Sequence, residues 1–184
     1  MPDSIKTYGW TVFQGCTNLR RIRLSKGAPV LEGLSECESL EIVDIPDEVE
    51  EMRNVFYGCY NLKSLRIGSG LKKFLPYELF KGSTQLKEII ISPNNRTLRA
   101  EKNYIIRIID DCLLLGISDG EIPSSVESIG EDAFADKNIT TVTIPQTIKK
   151  IYSNAFADND SLRNVTFEGS LKSCQIIYLK NARI

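Results

Sequence analysis

The sequence predicts a solenoid: one strand-and-turn unit of 20 to 25 residues stacked on copies of itself, with parallel strands on one side and irregular turns on the other. Three observations predict it. An aromatic or leucine marker recurs at Phe13, Leu34, Phe56, Phe80, Phe134 and Phe156, with separations of 21, 22, 24, 54 and 22 residues. Each marker is followed by one apolar residue and then by a pair of alternating apolar residues. Proline closes several of those pairs. A fixed period of this length outranks any local helix or strand preference, because a single unit cannot bury its apolar face alone and must stack.

Taken in order, the chain opens with Ile5 and Tyr8, which fit the second half of a unit. Six positions after the marker stand Leu19, Leu40, Leu62, Leu86 and Leu162, with Ile139 one residue early in the Phe134 unit. The strand pairs follow: Ile22/Leu24, Val43/Ile45, Leu65/Ile67, Ile89/Ile91, Val142/Ile144 and Val165/Phe167. Alternation over so short a run reads as a half-buried strand. Pro46, Pro123 and Pro145 come directly after a strand, where a residue without an N–H ends the ladder. The returning segments offer two inward residues three apart, Val49/Met52, Leu71/Phe74, Val126/Ile129 and Ile148/Ile151, with Leu171 and Cys174 expected in those places at the end.

The separation of 54 marks an insertion over residues 92–121. Its apolar runs 103–109 and 112–117 are joined by Asp110-Asp111 and read as a protruding β-hairpin with a tight acidic turn. The whole of 1–184 reads as one domain of about six to seven units.

Composition narrows the function. Lysine plus arginine (23) nearly balances aspartate plus glutamate (24), so nothing suggests a nucleic-acid partner, which wants a strongly basic face. The chain has 0 histidines, which removes the commonest general base and the commonest metal ligand together. No catalytic residue, metal or cofactor is expected. No apolar run approaches the roughly 20 residues that span a bilayer, so membrane insertion is not expected either. The N-terminus lacks the basic and apolar regions of a signal peptide.

The phrases IPSSVESIGEDAFADKNITTVTIP and VFYGCYNLKSLRI resemble the BspA-like leucine-rich repeats, with Ile-Pro after the strand, an Ile-Gly step, Ala-Phe, and Gly-Cys before the next leucine. The resemblance runs from residue 5 to about 174 and includes the hairpin insertion. Departures are Leu34 for phenylalanine, Gly68 or Ser92 for the strand-end proline, and Lys137, Ser83 or Asn159 for cysteine. It implies a leucine-rich-repeat solenoid with a curved parallel sheet on the concave side and turns or 3₁₀ segments on the convex side. It also implies an extracellular or cell-surface role within a longer protein, in adhesion to host matrix proteins or another cell-surface protein; a cytoplasmic scaffold is the alternative.

Period-2 alternation leaves a set of strand residues pointing away from the core. Arg21, Arg23, Asp44, Arg66, Glu88, Ile90, Thr143 and Thr166 are the candidate binding residues on the concave face. The competing reading is a solvated sheet face on a structural spacer. The ligand's identity and the oligomeric state stay open. Cys16, Cys37 and Cys59 each lie three residues after a marker and read as a column of buried thiols acting as small apolar fillers, while Cys112, at the hairpin turn, is the cysteine with the best case for exposure and reactivity. Trp10, the one tryptophan, is expected to pack in the cap or core. The carboxylate pairs Asp110-Asp111 and Glu131-Asp132 read as turn residues, and the Asn-x-Ser/Thr triplets at Asn95, Asn138, Asn159 and Asn164 as chance matches in a polar turn context.

Overall fold

The structure, a computed structural model, describes residues 1–75 and 79–169 and the backbone of residues 175–176. It divides into two compact units, Met1–Arg99 and Ala100–Ile184.

In the first unit the strands are β1 (Val30–Leu31), β2 (Ile42–Ile45), β3 (Glu51–Met52), β4 (Ser64–Ile67) and β5 (Glu88–Ile91). Strands β2, β4 and β5 form a parallel sheet in the register Val43↔Leu65↔Ile89 and Ile45↔Ile67↔Ile91, and a single bridge from Arg21 to Ile42 adds the preceding rung. The short strands β1 and β3 pair on the returning side. Between the two walls lie the periodic apolar residues. Leu40, Leu62, Leu65 and Phe56 are fully buried, and the rings of Phe56 and Phe80 stack at 5.5 Å. Period-2 alternation therefore sorts side chains as the sequence implies: odd positions of the strand inward, even positions outward.

The turns after Phe13, Phe56 and Phe80 follow one plan. The amide three residues on donates to the marker carbonyl, as in Cys16 to Phe13, Cys59 to Phe56 (both 3.1 Å) and Ser83 to Phe80 (3.0 Å). These are hydrogen-bonded turns, the first of the two forms expected on this side. Two residues after the marker the backbone is left-handed in every unit, at Gly15, Glu36, Gly58, Gly82, Asp136 and Asp158, with φ between 55° and 83°. Glycine and aspartate reach this region cheaply, whereas glutamate does so only under strain. Glu36→Gly should therefore raise the urea-unfolding free energy by about 0.5–1 kcal/mol, and Gly58→Ala should lower it by about 1–2 kcal/mol. Shifts of opposite sign for the two variants in chemical denaturation are the check.

Strand β6 (Leu98–Glu101) runs across the boundary, and the second unit carries β7 (Tyr104–Arg107), β8 (Cys112–Gly116), β9 (Gly120–Glu121), β10 (Ser128–Ile129), β11 (Thr141–Ile144), β12 (Lys150–Ile151), β13 (Asn164–Phe167) and β14 (Gln175–Ile176). Strands β9, β11 and β13 make one parallel sheet, and the other sheet has the order β14-β12-β10-β8-β7-β6. The inserted segment is a correction to the sequence expectation. It does not protrude: Tyr104, Ile105 and Ile106 and all of β8 are buried, and β8 joins β10 in parallel register (Ser128↔Cys112, Ile129↔Leu113). The hairpin closes through four residues, 108–111, rather than through Asp110-Asp111 alone. Arg107 fixes that loop by donating from Nε and Nη2 to the two carboxylate oxygens of Asp110, at 2.8 and 2.7 Å. Only the tip is open, with Ile109 89% exposed. The insertion is buried because β8 stands in for one returning strand of the repeat.

Leu171 and Cys174 lie outside the described residues. The backbone register sets Ile176 opposite Ile151, the place the spacing had given to Cys174.

Candidate strand-face binding surface

In the first unit the register brings the predicted outward residues into two rows. Arg21, Ile42, Ser64 and Glu88 form one, and Asp44, Arg66 and Ile90 form the other. Arg66 Nε lies 3.7 Å from Asp44 Oδ1, and Ser64 Oγ donates to Glu88 Oε2 at 2.6 Å. Exposed ion pairs of this kind are worth about 0–1 kcal/mol, so they arrange charge more than they stabilise. Ile90 is 41% exposed beside them. Arg23 is engaged differently. It donates to Met1 O at 2.7 Å and reaches the Asp3 carboxylate at 3.2 Å, while the Met1 ammonium donates to Arg23 O. The Lys26 amide, more than the Arg23 charge, holds Asp3 below the usual carboxylate range. Arg23 thus ties down the N-terminal segment.

In the second unit Thr143 and Thr166 share a row, with Glu121 in register beside Thr143, and Thr141 stands beside Asn164. Asp119 caps this sheet: its carboxylate accepts from the Thr140 amide at 2.5 Å and from Thr140 Oγ1 at 2.7 Å. Burial acts to raise the Asp119 pKa, but the bonds from Thr140 and Thr141 outweigh it and the carboxyl stays below its ordinary value.

The cysteine column is not a set of passive fillers. Cys37 Sγ donates to Phe13 O at 3.2 Å, Cys59 Sγ to Leu34 O at 3.3 Å, Ser83 Oγ to Phe56 O at 3.0 Å and Asn159 Nδ2 to Phe134 O at 2.6 Å. In each case the side chain three residues after one marker serves the marker carbonyl of the preceding rung. A carbonyl has two lone pairs; at Phe13 and Phe56 the rung's own amide uses one and the short side-chain donor takes the other. That is why cysteine, serine and asparagine interchange here. Cys16 departs from the expected buried column and is exposed.

Cys112 is a further correction. It is 2% exposed, and burial pushes its thiol pKa up; burial likewise pushes Cys59 up to about 12. A thiol protonated and enclosed in this way is inert. Brief iodoacetamide treatment of the native protein should alkylate Cys16 well before Cys37, Cys59 or Cys112, read by peptide mass spectrometry. Equal labelling of Cys112 would show that the hairpin opens.

Trp10 also departs from expectation: it is 80% exposed, and with Tyr57 (46%) and Tyr60 (53%) it belongs to the turn side. These aromatics sit between periodic positions, so no period marks them. Of the Asn-x-Ser/Thr sites, Asn95 is 5% exposed and fully bonded, Asn159 is engaged as above, and only Asn138 and Asn164 are open. Asp111 and Asp132 take left-handed turn positions, as the carboxylate pairs implied.

The sequence matches the family described as BspA type leucine rich repeat region, in 6 copies over residues 31–104 and 114–182. Among solved structures, the pneumococcal vaccine antigen PcpA is similar in fold, at 16% identity and a TM-score of 0.56 over 70% of this chain and 39% of that one. A leucine-rich repeat protein from Eubacterium ventriosum matches at 14% identity and 0.56, over 90% of this chain and 57% of that one. One from Bacteroides ovatus matches at 23% identity and 0.52, over 96% and 55%. The chain therefore spans between 39% and 57% of the length of these structures. A search of curated proteins finds no match. At these identities the likeness speaks for the fold, and the repeat match speaks for descent: the chain belongs to the BspA-type leucine-rich repeat family.

Proposed function

We propose that this repeat domain is a protein-binding module of the adhesion kind, working at a cell surface, and that its strand face receives the partner. The observation that carries the reading is the first-unit face itself. Ile90 lies open on the edge strand β5, beside Arg66 and two residues after Glu88, on strands whose inward residues are committed to the core. An exposed apolar residue flanked by charged groups is a combination that protein interfaces use. The family is one of repeat scaffolds, and one similar structure is a vaccine antigen, which agrees with such a role. Among the described residues no helix is long and apolar enough to cross a membrane.

The test is an array of matrix and cell-surface proteins probed with the whole chain. Any partner found should be lost by the triple substitution Arg66→Ala, Glu88→Ala, Ile90→Ala and kept by Tyr57→Ala with Tyr60→Ala. Loss with the tyrosine pair alone would move the site to the turn side. Absence of every partner would favour a structural spacer.

A further inference from the structure

Charge is not spread evenly over the first unit. The residues that begin and line its strand face comprise six cations (Arg20, Arg21, Arg23, Lys63, Arg66, Lys87) and three anions (Glu41, Asp44, Glu88); with Asp3, which pairs Arg23 from outside the face, the net is +2. By sequence the unit as a whole has 14 cations and 12 anions, also a net of +2, so the rest of its surface sums to zero. The three anions on the face are already engaged. Glu41 Oε1 lies 3.6 Å from Lys63, Asp44 lies 3.7 Å from Arg66, and Glu88 accepts from Ser64 at 2.6 Å. Arg20, Arg21 and Lys87 are exposed and make no ion pair among the described residues. The face therefore presents a positive surplus at the rung of Arg20 and Arg21, and an open apolar residue, Ile90, three rungs away.

From this we infer that the strand face takes an extended acidic protein segment, with carboxylates over Arg20 and Arg21 and an apolar side chain over Ile90. The inference rests on the protein-binding reading above and names the chemistry of the partner. The spacing follows from the sheet. Adjacent strands lie about 4.8 Å apart, so the Arg21 and Ile90 rungs are separated by roughly 14 Å, and an extended chain advancing about 3.4 Å per residue covers that in four steps. The recognised pattern is thus one or two acidic residues followed four positions later by an apolar one. A uniformly sulfated glycan fits less well, because its charges would also fall over Glu41, Asp44 and Glu88 and over the apolar Ile90.

The experiment uses the whole chain and a fluorescein-labelled twelve-residue peptide, designed with two adjacent aspartates and a leucine four positions beyond. Anisotropy titrations are run at low and high salt. Binding at low salt that weakens as salt rises is expected, because exposed charges are screened over about 10 Å at 0.1 M ionic strength. Replacing the aspartates by asparagines, or using the protein variant Arg20→Glu with Arg21→Glu, should each weaken binding by at least about tenfold, since one charge pair at 4 Å in water is worth about 1 kcal/mol, a factor of roughly five. Arg96→Glu, an exposed charge reversal off the face, should change it less than about twofold. Circular dichroism melts check that the variants fold, and the salt titration of the unmodified chain needs no variant. No binding at low salt, equal binding of the asparagine peptide, or an equal effect of Arg96→Glu overturns the inference. So does a heparin hexasaccharide that binds more tightly than the peptide. If an array partner is lost with the Arg66/Glu88/Ile90 substitutions yet ignores salt and the Arg20/Arg21 reversal, this inference fails while the protein-binding reading stands.

Discussion

Replacing Phe134 with alanine should cost about 3–5 kcal/mol of stability, the largest loss expected from a single truncation in the second unit. The ring is fully buried, stacks on Phe156 at 5.0 Å and meets Tyr104 edge-on at 6.0 Å. Its edge also occupies the space over Gly116, where an added Cβ would stand 2.1 Å from Phe134 Cε1. Three elements, the inserted β8, the marker turn and the following rung, therefore converge on one side chain. Alanine leaves a cavity that these neighbours cannot close without moving backbone. Phe13 fills the same repeat position but is only partly buried, so Phe13→Ala should cost about 1 kcal/mol. Urea denaturation of both variants decides the matter. If the two losses are equal, convergent packing is not what makes Phe134 important.

A second large loss, about 3 kcal/mol, is expected for Asn95→Ala. Asn95 is 5% exposed and uses both ends of its amide. Its Nδ2 donates to Gly68 O at 3.0 Å and Leu71 O at 3.3 Å, and its Oδ1 accepts from the amides of Thr97 at 2.9 Å and Leu98 at 2.8 Å. Removing it strands two amides and two carbonyls in a buried place, and an unmet buried group costs more than a made bond contributes. Aspartate cannot replace it, because an ionised carboxylate has no hydrogen to give the two carbonyls. The neighbouring Asn94 is exposed, and Asn94→Ala should leave the unfolding midpoint within experimental scatter. A midpoint for Asn95→Ala as high as that of Asn94→Ala would remove the argument.

The sequence announced the inward residues almost completely, because burial is a demand on side-chain type that repeats at a fixed spacing. Val43, Leu65, Ile89, Val142 and the returning pairs such as Val126/Ile129 all lie in the core. What it hid were demands made by the backbone. Cys37, Cys59, Ser83 and Asn159 look like a degenerate column until the marker carbonyls they serve are seen. Strand β6 shows a related limit of the pattern: in Leu98–Glu101 only Leu98 is a large apolar residue, and the strand is held by pairing with β7. Cys112 stands inside rather than at the turn because the loop ends at Asp111 and the cysteine opens a buried strand. Trp10 was misread because a period treats every rung as interior, and the first marker turn has a stacked rung on one side only among the described residues.

The candidate site was legible to a similar extent. Alternation found the outward columns, and register aligned Asp44 with Arg66 and Ile90 as expected. It could not show that Arg23 is occupied by Asp3 and Met1, because those contacts join segments about 20 residues apart outside the repeat. The surplus charge at Arg20 and Arg21 likewise became visible only once the partners of the other ionic groups were known.

The donors that reach back to the preceding marker carbonyl give the stack a direction. Cys59 completes the turn at Leu34, and Ser83 completes the turn at Phe56, so each coil is finished by the one made after it. A chain emerging from the ribosome amino end first would carry one provisional turn at its growing tip, sealed only when the next rung arrives. Shortening the array from its carboxyl end unseals the turn that becomes last, whereas shortening it from the amino end merely leaves a spare donor at the surface. The two ends of the array are therefore unequal in what they can lose, and assembly has a built-in polarity that the shared spacing of its units conceals.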